Sequence, residues 1–158
     1  WWTTTWRLRP PPKPSTTQTA TRNHNLMAAQ RRLRVLVVDD DVAACLVIQR
    51  MLQGLGYDCD IAHDSQDALK AVSERTYSIV FLDSYLPRCE GWRLAMDIQS
   101  LCCELDVPKF VGMVTLKGDG MEQRCKEAGI SKLLSKPIGR QDLATMTRMY
   151  IGETHCEN

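Results

Sequence analysis

Several features that would assign this sequence to a specialised class of protein are absent. No apolar run approaches the roughly 20 residues that a membrane-spanning helix needs, so the sequence predicts no membrane segment. The seven cysteines are odd in number and include no C-x-x-C pair, so their spacing is not that of a zinc site. We interpret them as reduced thiols that pack as small hydrophobic residues.

Acidic residues are absent from the first 34 positions, which carry seven basic residues. The rest of the chain holds 13 basic and 19 acidic residues, a net charge of −6, and an acidic globular part does not indicate nucleic-acid binding. Residues 1–31 show no helical or strand periodicity, so we expect a disordered or leader-like tail. One globular domain is expected over 32–151, followed by a short C-terminal tail over 152–158.

From residue 34 onward, short apolar runs alternate with stretches of helical periodicity. The predicted strands are 34–39, 58–62, 78–83, 109–114 and 132–135. The predicted helices are 42–53, 65–74, 91–103, 118–128 and 140–151. Five strands that alternate with five helices favour an α/β fold with a doubly wound, parallel five-stranded sheet covered on both faces.

A triple acid follows the first apolar run: the residues from Val35 to Val38 precede Asp39, Asp40 and Asp41. Four aliphatic residues are typical of a strand that is buried on both faces, and ligands of open α/β sheets gather at the carboxyl ends of the strands. Adjacent carboxylates repel one another, so a bound cation is the natural reason to cluster them there. The sequence therefore predicts a divalent-metal site at this edge.

Three further strands end in residues that could take part in catalysis. Asp83 ends the third predicted strand, Thr115 follows the fourth and Lys136 follows the fifth. Each residue alone has a simple structural explanation, as a turn former, a strand former and a solvated charge respectively. Together, beside a metal at one edge of a parallel sheet, they indicate a phosphoryl-transfer site. Cations there neutralise the phosphoryl oxygens, and a carboxylate accepts the group.

The same residues carry a resemblance to a known family. From about Arg34 to Tyr150 the chain resembles the receiver domain of response regulators in two-component and phosphorelay signalling. The matching motifs are Val37-Val38-Asp39-Asp40, Leu82-Asp83 with Pro87 and Gly91 following, Val114-Thr115 and Ser135-Lys136-Pro137. The stretch from Arg124 to Ile138 is most similar to the receivers of hybrid histidine kinases. The resemblance implies a flavodoxin-like sheet with the strand order 2-1-3-4-5.

The resemblance also implies roles for the acidic residues. Asp83 matches the aspartate that accepts the phosphoryl group. Asp39 and Asp40 match the acidic pair that binds Mg²⁺, with Asp83 and the backbone carbonyl of Tyr85 as further ligands, and oxygen ligands suit this small, hard cation. Asp41 lies one position past the pair, and we expect it to cap the first helix or to add negative field.

Thr115 and Lys136 match two residues that respond to the phosphoryl group. Thr115 corresponds to the switch hydroxyl that moves towards it. Lys136 corresponds to the lysine that pairs first with the acceptor and then with the phosphate. The Lys136–Pro137 peptide is usually cis in the family, which is energetically accessible before proline.

Partners and location follow from the resemblance as well. The phosphoryl donor is a sensor histidine kinase or a histidine phosphotransfer protein, with no direct role for nucleic acid. Such a domain catalyses its own phosphorylation and dephosphorylation but is not a turnover enzyme. Phosphorylation is expected to alter the face built by the fourth helix, fifth strand and fifth helix, through which some members also dimerise. We expect a cytoplasmic domain that stands alone, acts as a relay intermediate or forms part of a hybrid kinase.

Two positions depart from the family pattern. Leu133 stands where Tyr or Phe is common, so the usual coupling of an aromatic ring to the switch hydroxyl has no aromatic partner here. Leu116 follows Thr115 where Ala or Gly is common. We predict slower phosphotransfer or hydrolysis than in a Leu116→Ala variant, and equal or faster loss of phosphate from the unaltered chain would contradict this.

Two other interpretations stay open at this point. A phosphohydrolase of the haloacid-dehalogenase type also combines an Asp-x-Asp pair, here Asp39 and Asp41, with a hydroxyl and a lysine, although the late acidic pair of that family is missing. A pseudo-receiver that binds partners without being phosphorylated is the other. Labelling with a small phosphodonor distinguishes them, because a phosphoryl group on Asp39 indicates the hydrolase, one on Asp83 the receiver, and none the pseudo-receiver.

Overall fold

The computed structural model describes residues 33–115 and 120–152, with side chains as far as Tyr150. The tail expected over 1–31, the departure at Leu116 and the residues beyond 152 lie outside the described residues. Within the described ranges, no helix is long and apolar enough to cross a bilayer.

Helices and strands alternate along the described chain, as predicted. The strands of the main sheet are β1 (Arg34–Val38), β2 (Asp58–Ala62), β3 (Ile79–Asp83), β4 (Lys109–Val114) and β5 (Ile130–Ser135). The helices are α1 (Val42–Gly54), α2 (Ser65–Glu74), α3 (Gly91–Leu101), α4 (Met121–Glu127) and α5 (Arg140–Gly152). A two-stranded ribbon between β3 and α3 pairs Tyr85–Leu86 with Cys89–Glu90.

The main sheet is parallel throughout and has the order β2-β1-β3-β4-β5. This is the order 2-1-3-4-5 of a flavodoxin-like fold, so the predicted fold class is confirmed. Because the strands are parallel, all their carboxyl ends lie at one edge of the sheet. From β1 the chain continues to β2 on one side, whereas from β3 it continues to β4 on the other side. The gap between β1 and β3 is therefore the topological switch point, and ligands of open α/β sheets bind in the crevice outside such a point.

Alternate residues of the central strands belong to two hydrophobic cores. Val35 and Val37 of β1 pack with buried residues of α1 and α5. Leu36 and Val38 pack with buried residues of α2, α3 and α4 on the other face. All four side chains are fully buried. Burial on both faces explains why the strand is a continuous apolar run instead of an alternating one.

Two aspartates are N-caps whose side chains accept hydrogen bonds from the first turn of a helix. Asp41 accepts hydrogen bonds from the N–H groups of Ala43 and Ala44 at 2.9 and 3.2 Å. Asp64 accepts one from the N–H of Asp67 at 2.8 Å. Such caps satisfy N–H groups that have no partner within the first helical turn. The expectation that Asp41 caps α1 is therefore confirmed.

The fifth strand begins two residues earlier than the sequence pattern predicts. Phe110 pairs with Ile130, but Val111 pairs with Lys132, so Ser131 is an extra residue in β5. A bulge of this kind interrupts the alternation of side chains between the two faces. The strand pattern is therefore visible in the sequence only from Lys132 onward.

The sequence pattern does not predict the ribbon after β3, because two-residue strands carry no periodicity. The ribbon brings α3 back against the end of β3, where the N–H of Gly91 donates to the carbonyl of Ser84 at 3.1 Å. A Cβ atom at Gly91 would lie 2.2 Å from the carbonyl oxygen of Asp83. Only glycine fits so close an approach of two backbone segments. Gly91 therefore lies against the backbone of Asp83, the last residue of β3.

Candidate functional site

The four side chains predicted at strand ends lie at the same edge of the sheet. Asp39 follows β1, Asp83 is the last residue of β3, Thr115 follows β4 and Lys136 follows β5. The parallel register of the four strands brings these ends level with one another. The sheet therefore brings together residues that are far apart in the sequence.

Three carboxylates form a compact acidic cluster at this edge. Oxygen atoms of Asp39, Asp40 and Asp83 lie within 4.8 Å of one another. Asp39 is fully buried and Asp83 is 6% exposed, whereas Asp40 is open to solvent. Like charges held this close destabilise one another unless a cation lies among them. The all-oxygen donor set, with one member reachable from solvent, suits a small divalent cation such as Mg²⁺.

Lys136 joins the two buried carboxylates. Its Nζ atom donates to Oδ2 of Asp39 at 2.6 Å and to Oδ2 of Asp83 at 2.8 Å. The side chain is 21% exposed, so the pairing takes place largely out of water, where charge-assisted hydrogen bonds are strong. The Lys136–Pro137 bond is cis, as the resemblance implies.

Burial and charge act in opposite directions on this pair. Burial raises the pKa of Asp83 above its usual value, and the Lys136 ammonium and the Tyr85 N–H offset this only in part. Burial acts to lower the pKa of Lys136, but its hydrogen bonds to Asp39 and Asp83 hold that pKa above its usual range. Lys136 is therefore a cation at neutral pH and can balance negative charge placed on Asp83.

Backbone N–H groups hold the second oxygen of each buried carboxylate. The N–H of Asp41 donates to Oδ1 of Asp39 at 3.0 Å, and the N–H of Tyr85 donates to Oδ1 of Asp83 at 3.1 Å. Together with Lys136, these contacts fix the plane of both carboxylates. Such preorganisation is what a site needs if a reacting group is to be met in a fixed orientation.

Thr115 and Tyr85 lie at the site without joining the hydrogen-bonded cluster through their side chains. Thr115 is exposed just past β4. Among the described residues, the hydrogen bonds between the site's side chains run through Lys136 and do not include the Thr115 hydroxyl. Tyr85 is the first residue of the ribbon, and its side chain is 54% exposed. The switch role of Thr115 and the metal-ligand role of the Tyr85 carbonyl stay predictions.

Two contacts to the main chain of Asp39 have no counterpart in the sequence prediction. The Cys45 thiol donates to the carbonyl oxygen of Asp39 at 3.3 Å, and Nδ1 of His63 lies 3.4 Å from the same oxygen. Burial and the nearby Asp39 carboxylate raise the pKa of Cys45 to about 11, so the thiol stays protonated and can donate. The sequence marks Cys45 only as a residue on the apolar face of α1, and no local signal reveals the contact.

Comparison with known proteins identifies similar domains. The family model described as the response regulator receiver domain matches residues 35–148. The chain is 34% identical over 118 residues to the sensor histidine kinase RcsC of Salmonella typhi, covering 75% of this chain and 12% of that kinase. It is 28% identical over 121 residues to hybrid signal transduction histidine kinase F of Dictyostelium discoideum, covering 75% of this chain and 11% of that kinase. The chain thus spans a small part of these relatives.

A solved structure agrees in fold over most of both chains. The receiver domain of sensor histidine kinase PA1611 from Pseudomonas aeruginosa PAO1 superposes with a TM-score of 0.67 and 26% sequence identity. The match covers 76% of this chain and 98% of that one. The structure of that receiver has a magnesium ion coordinated in the active site cleft.

Proposed function

The chain belongs to the response regulator receiver family of two-component signalling, and from this premise we propose that Asp83 accepts a phosphoryl group from a phosphohistidine in a Mg²⁺-dependent reaction. The observation that carries the proposal is the position of Lys136, whose ammonium joins the buried Asp83 and Asp39 at the carboxyl edge of the sheet. A nucleophile, a fixed cation and an acidic cluster in one place are the components that phosphoryl transfer requires.

Four residues would hold Mg²⁺ in this proposal: Asp39, Asp40 and Asp83 through carboxylate oxygens and Tyr85 through its backbone carbonyl. Support comes from the spacing of the three carboxylates and from the magnesium ion described for the P. aeruginosa receiver. When bound, the cation would withdraw charge from the phosphoryl oxygens.

Asp83 supplies the nucleophile. One of its carboxylate oxygens forms the new bond to phosphorus while the N–P bond of the phosphohistidine breaks, and the imidazole leaves with the bonding electron pair. The Tyr85 N–H and Lys136 hold the two oxygens of Asp83 before the donor arrives. After transfer, Lys136 pairs with a phosphoryl oxygen and the Thr115 hydroxyl donates a hydrogen bond to another.

The exposed start of α1 is the proposed docking surface for the histidine-bearing partner. Val42, Leu46 and Val47 are 54, 50 and 57% exposed, on a helix whose capping residue, Asp41, directly follows the acidic pair. Clustered exposed apolar side chains commonly mark interaction sites. The partner is a sensor histidine kinase or a histidine phosphotransfer protein, whose phosphohistidine would then lie over Asp83.

The acyl phosphate is proposed to change the populations of two conformations of the α4–β5–α5 surface, in which a local charge event biases the whole domain. The same surface is the proposed face of any homodimer. The similarity to RcsC and to the hybrid kinase of Dictyostelium supports a place within a hybrid kinase, on the cytoplasmic side of the membrane. The domain bounds proposed for this unit are 32 and 151.

The geometry argues against the phosphohydrolase alternative. That chemistry needs the carboxylates of Asp39 and Asp41 to face one site, but the side chain of Asp41 caps α1 by accepting from Ala43 and Ala44. Asp83, for which the hydrolase has no role, is in direct contact with Lys136. The receiver accounts for all of these residues.

Labelling with acetyl phosphate and Mg²⁺, followed by intact mass and peptide mapping, tests the proposal. The unaltered chain is expected to gain one phosphoryl group on Asp83. An Asp83→Asn variant should gain none while keeping its fold, as judged by circular dichroism and urea unfolding. The matched control Asp64→Asn alters an exposed helix cap outside the site and should label normally.

Two results would contradict the proposal. Labelling of Asp83→Asn at the normal rate would show that another residue accepts the phosphoryl group. Failure of the unaltered chain to label, under conditions in which a receiver of established activity does, would favour the pseudo-receiver.

A further inference from the structure

We propose that Cys45 is a positioning residue, which fixes the main chain at Asp39 and thereby aims the Asp39 carboxylate at the cation site. The inference rests on the proposed role of Asp39 as a Mg²⁺ ligand. It goes beyond that role because it assigns a function to a buried thiol that is not itself a proposed ligand of the cation.

Cys45 is placed for this role by the first turn of α1. Its side chain is fully buried, and its thiol donates to the carbonyl oxygen of Asp39 at 3.3 Å. Its own N–H donates to the carbonyl of Asp41 at 3.0 Å, which anchors the helix on the capping residue. Cys45 therefore joins the start of α1 to the end of β1 across the residues that carry the acidic pair.

The carbonyl of Asp39 marks the point where the chain leaves the sheet. The N–H of Asp39 still donates to the carbonyl of Ala62 in β2 at 3.2 Å. Two residues further on, the N–H of Asp41 donates to Oδ1 of Asp39 at 3.0 Å. Rotation about the Cα–C bond of Asp39 would turn its carbonyl and move the chain that follows, which would take the Asp41 N–H away from the carboxylate. The thiol holds that carbonyl by its oxygen.

His63 is a second contact to the same carbonyl oxygen. Its Nδ1 atom lies 3.4 Å away, and because a carbonyl can only accept, this nitrogen must carry a proton for the pair to bond. The distance is near the upper limit for a hydrogen bond, and the imidazole is exposed. Cys45 is therefore the stronger constraint on Asp39.

A second buried cysteine provides a matched control. Cys59 on β2 belongs to the same hydrophobic core as Cys45 and is 7% exposed. Its thiol donates to the carbonyl of Asp60 at 3.6 Å, and its described hydrogen bond does not involve Asp39. Removing this thiol changes the packing of the same core without touching the junction of β1 and α1.

Cation binding in a set of purified variants tests the proposal. Mn²⁺ replaces Mg²⁺ as the probe, so that free and bound ion are distinguished by electron paramagnetic resonance. Loss of one modest hydrogen bond predicts that Cys45→Ala and Cys45→Val bind Mn²⁺ about 3- to 10-fold more weakly. Cys45→Ser keeps a donor and should bind within about 2-fold of the unaltered chain. Cys59→Ala should lose stability without a change in Mn²⁺ affinity.

Labelling kinetics give an independent readout. With acetyl phosphate as donor, Cys45→Ala should need more Mg²⁺ for half-maximal rate but should reach the normal rate at saturating Mg²⁺. A role in packing alone would lower stability and leave the Mg²⁺ dependence where it is.

Three outcomes would overturn the inference: unchanged Mn²⁺ affinity in the donor-free variants, equally weak binding in Cys45→Ser, or the same loss of affinity in Cys59→Ala. Should Cys45→Ala fail to fold, Cys45→Val fills the volume of the thiol and carries the test.

Asp39→Asn separates this inference from the proposed function. If that variant binds Mn²⁺ normally, the proposed metal site itself is wrong. If it loses binding and the donor-free variants do not, only the role of Cys45 is wrong.

Discussion

Asp60 gathers three donors on one carboxylate oxygen. Arg34 and Arg75 donate to Oδ2 at 3.2 and 3.1 Å, and the Tyr77 hydroxyl donates at 2.8 Å. Partial burial acts to raise the pKa of Asp60, but the hydrogen bonds from Tyr77, Arg75 and Arg34 outweigh it and hold that pKa below its usual value. One residue of β2 thus joins β1, the end of α2 and the segment before β3.

We predict that Asp60→Asn lowers the free energy of unfolding at neutral pH by about 1 kcal/mol, since ion pairs that are partly open to solvent contribute little. A folded-state pKa below the unfolded value means that the stabilisation is fully present above about pH 3.9 and is lost as pH falls through the folded pKa. Urea unfolding at neutral and strongly acidic pH measures this. The gap between the two proteins should close in acid.

The exposed residue Asp97 of α3 provides the control. Asp97→Asn removes one exposed carboxylate without touching the Asp60 contacts, and it should leave the free energy of unfolding at neutral pH within about 0.5 kcal/mol of the unaltered chain. A gap for Asp60→Asn that stays constant down to the lowest pH, or that is absent at neutral pH, would contradict the ionic role of Asp60.

The contact between β4 and β5 shows how one departure from the family pattern is accommodated. Gly112 lies in the middle of β4 and pairs with Leu133 in β5. A Cβ atom at Gly112 would lie 2.4 Å from Cδ2 of Leu133 and 3.3 Å from Cγ2 of Ile130. Leu133 thus packs over the space that the missing side chain leaves, against the core on the α2–α3–α4 face. Glycine within a strand often marks such a close approach.

This packing predicts non-additive effects of substitution. Gly112→Ala should destabilise the domain by about 1–3 kcal/mol through overpacking, and Leu133→Ala by about 1–2 kcal/mol through loss of buried surface. In the double variant the new methyl group occupies space that Leu133 vacates, so its loss should be smaller than the sum by more than about 0.5 kcal/mol. Urea unfolding of all four proteins gives this coupling. Simple additivity would show that the two residues do not share one space.

Across the domain, the concentration of negative charge at one edge limits stability. Asp39, Asp40 and Asp83 lie together, and Lys136 pairs with only two of them in the described contacts. A site that holds excess like charge for function is less stable when its cation is absent. Cation binding should therefore be visible as stabilisation of the whole fold.

We predict that Mg²⁺ raises the midpoint of thermal unfolding, by the equivalent of about 1.4 kcal/mol at ten times its Kd. Asp40→Asn should unfold at a higher temperature than the unaltered chain in EDTA, because one of three close charges is gone, and should gain less from Mg²⁺. Differential scanning calorimetry with and without the ion measures both effects. Asp97→Asn, outside the cluster, should keep the full Mg²⁺ response, and an undiminished response in Asp40→Asn would exclude Asp40 from the site.

Helices, strands and caps followed largely from local patterns. The apolar runs of β1 and β3 and the capping positions of Asp41 and Asp64 were predictable, since burial on both faces and helix starts depend on residues near one another. The bulge at Ser131 and the ribbon at Tyr85 were not, because an extra residue or a two-residue strand leaves no periodic trace.

The candidate site divides in the same way. The alternation of strands and helices predicted a parallel sheet, and all strands of a parallel sheet end on the same side. The residues at the strand ends were therefore enough to predict that Asp39, Asp83 and Lys136 lie at one edge. That Lys136 pairs with both carboxylates follows from contacts across 97 and 53 residues of sequence. The packing of Leu133 against Gly112 likewise follows from the register between β4 and β5. Such contacts depend on the three-dimensional packing of distant segments, and the chemistry of a residue and its neighbours along the chain does not encode them.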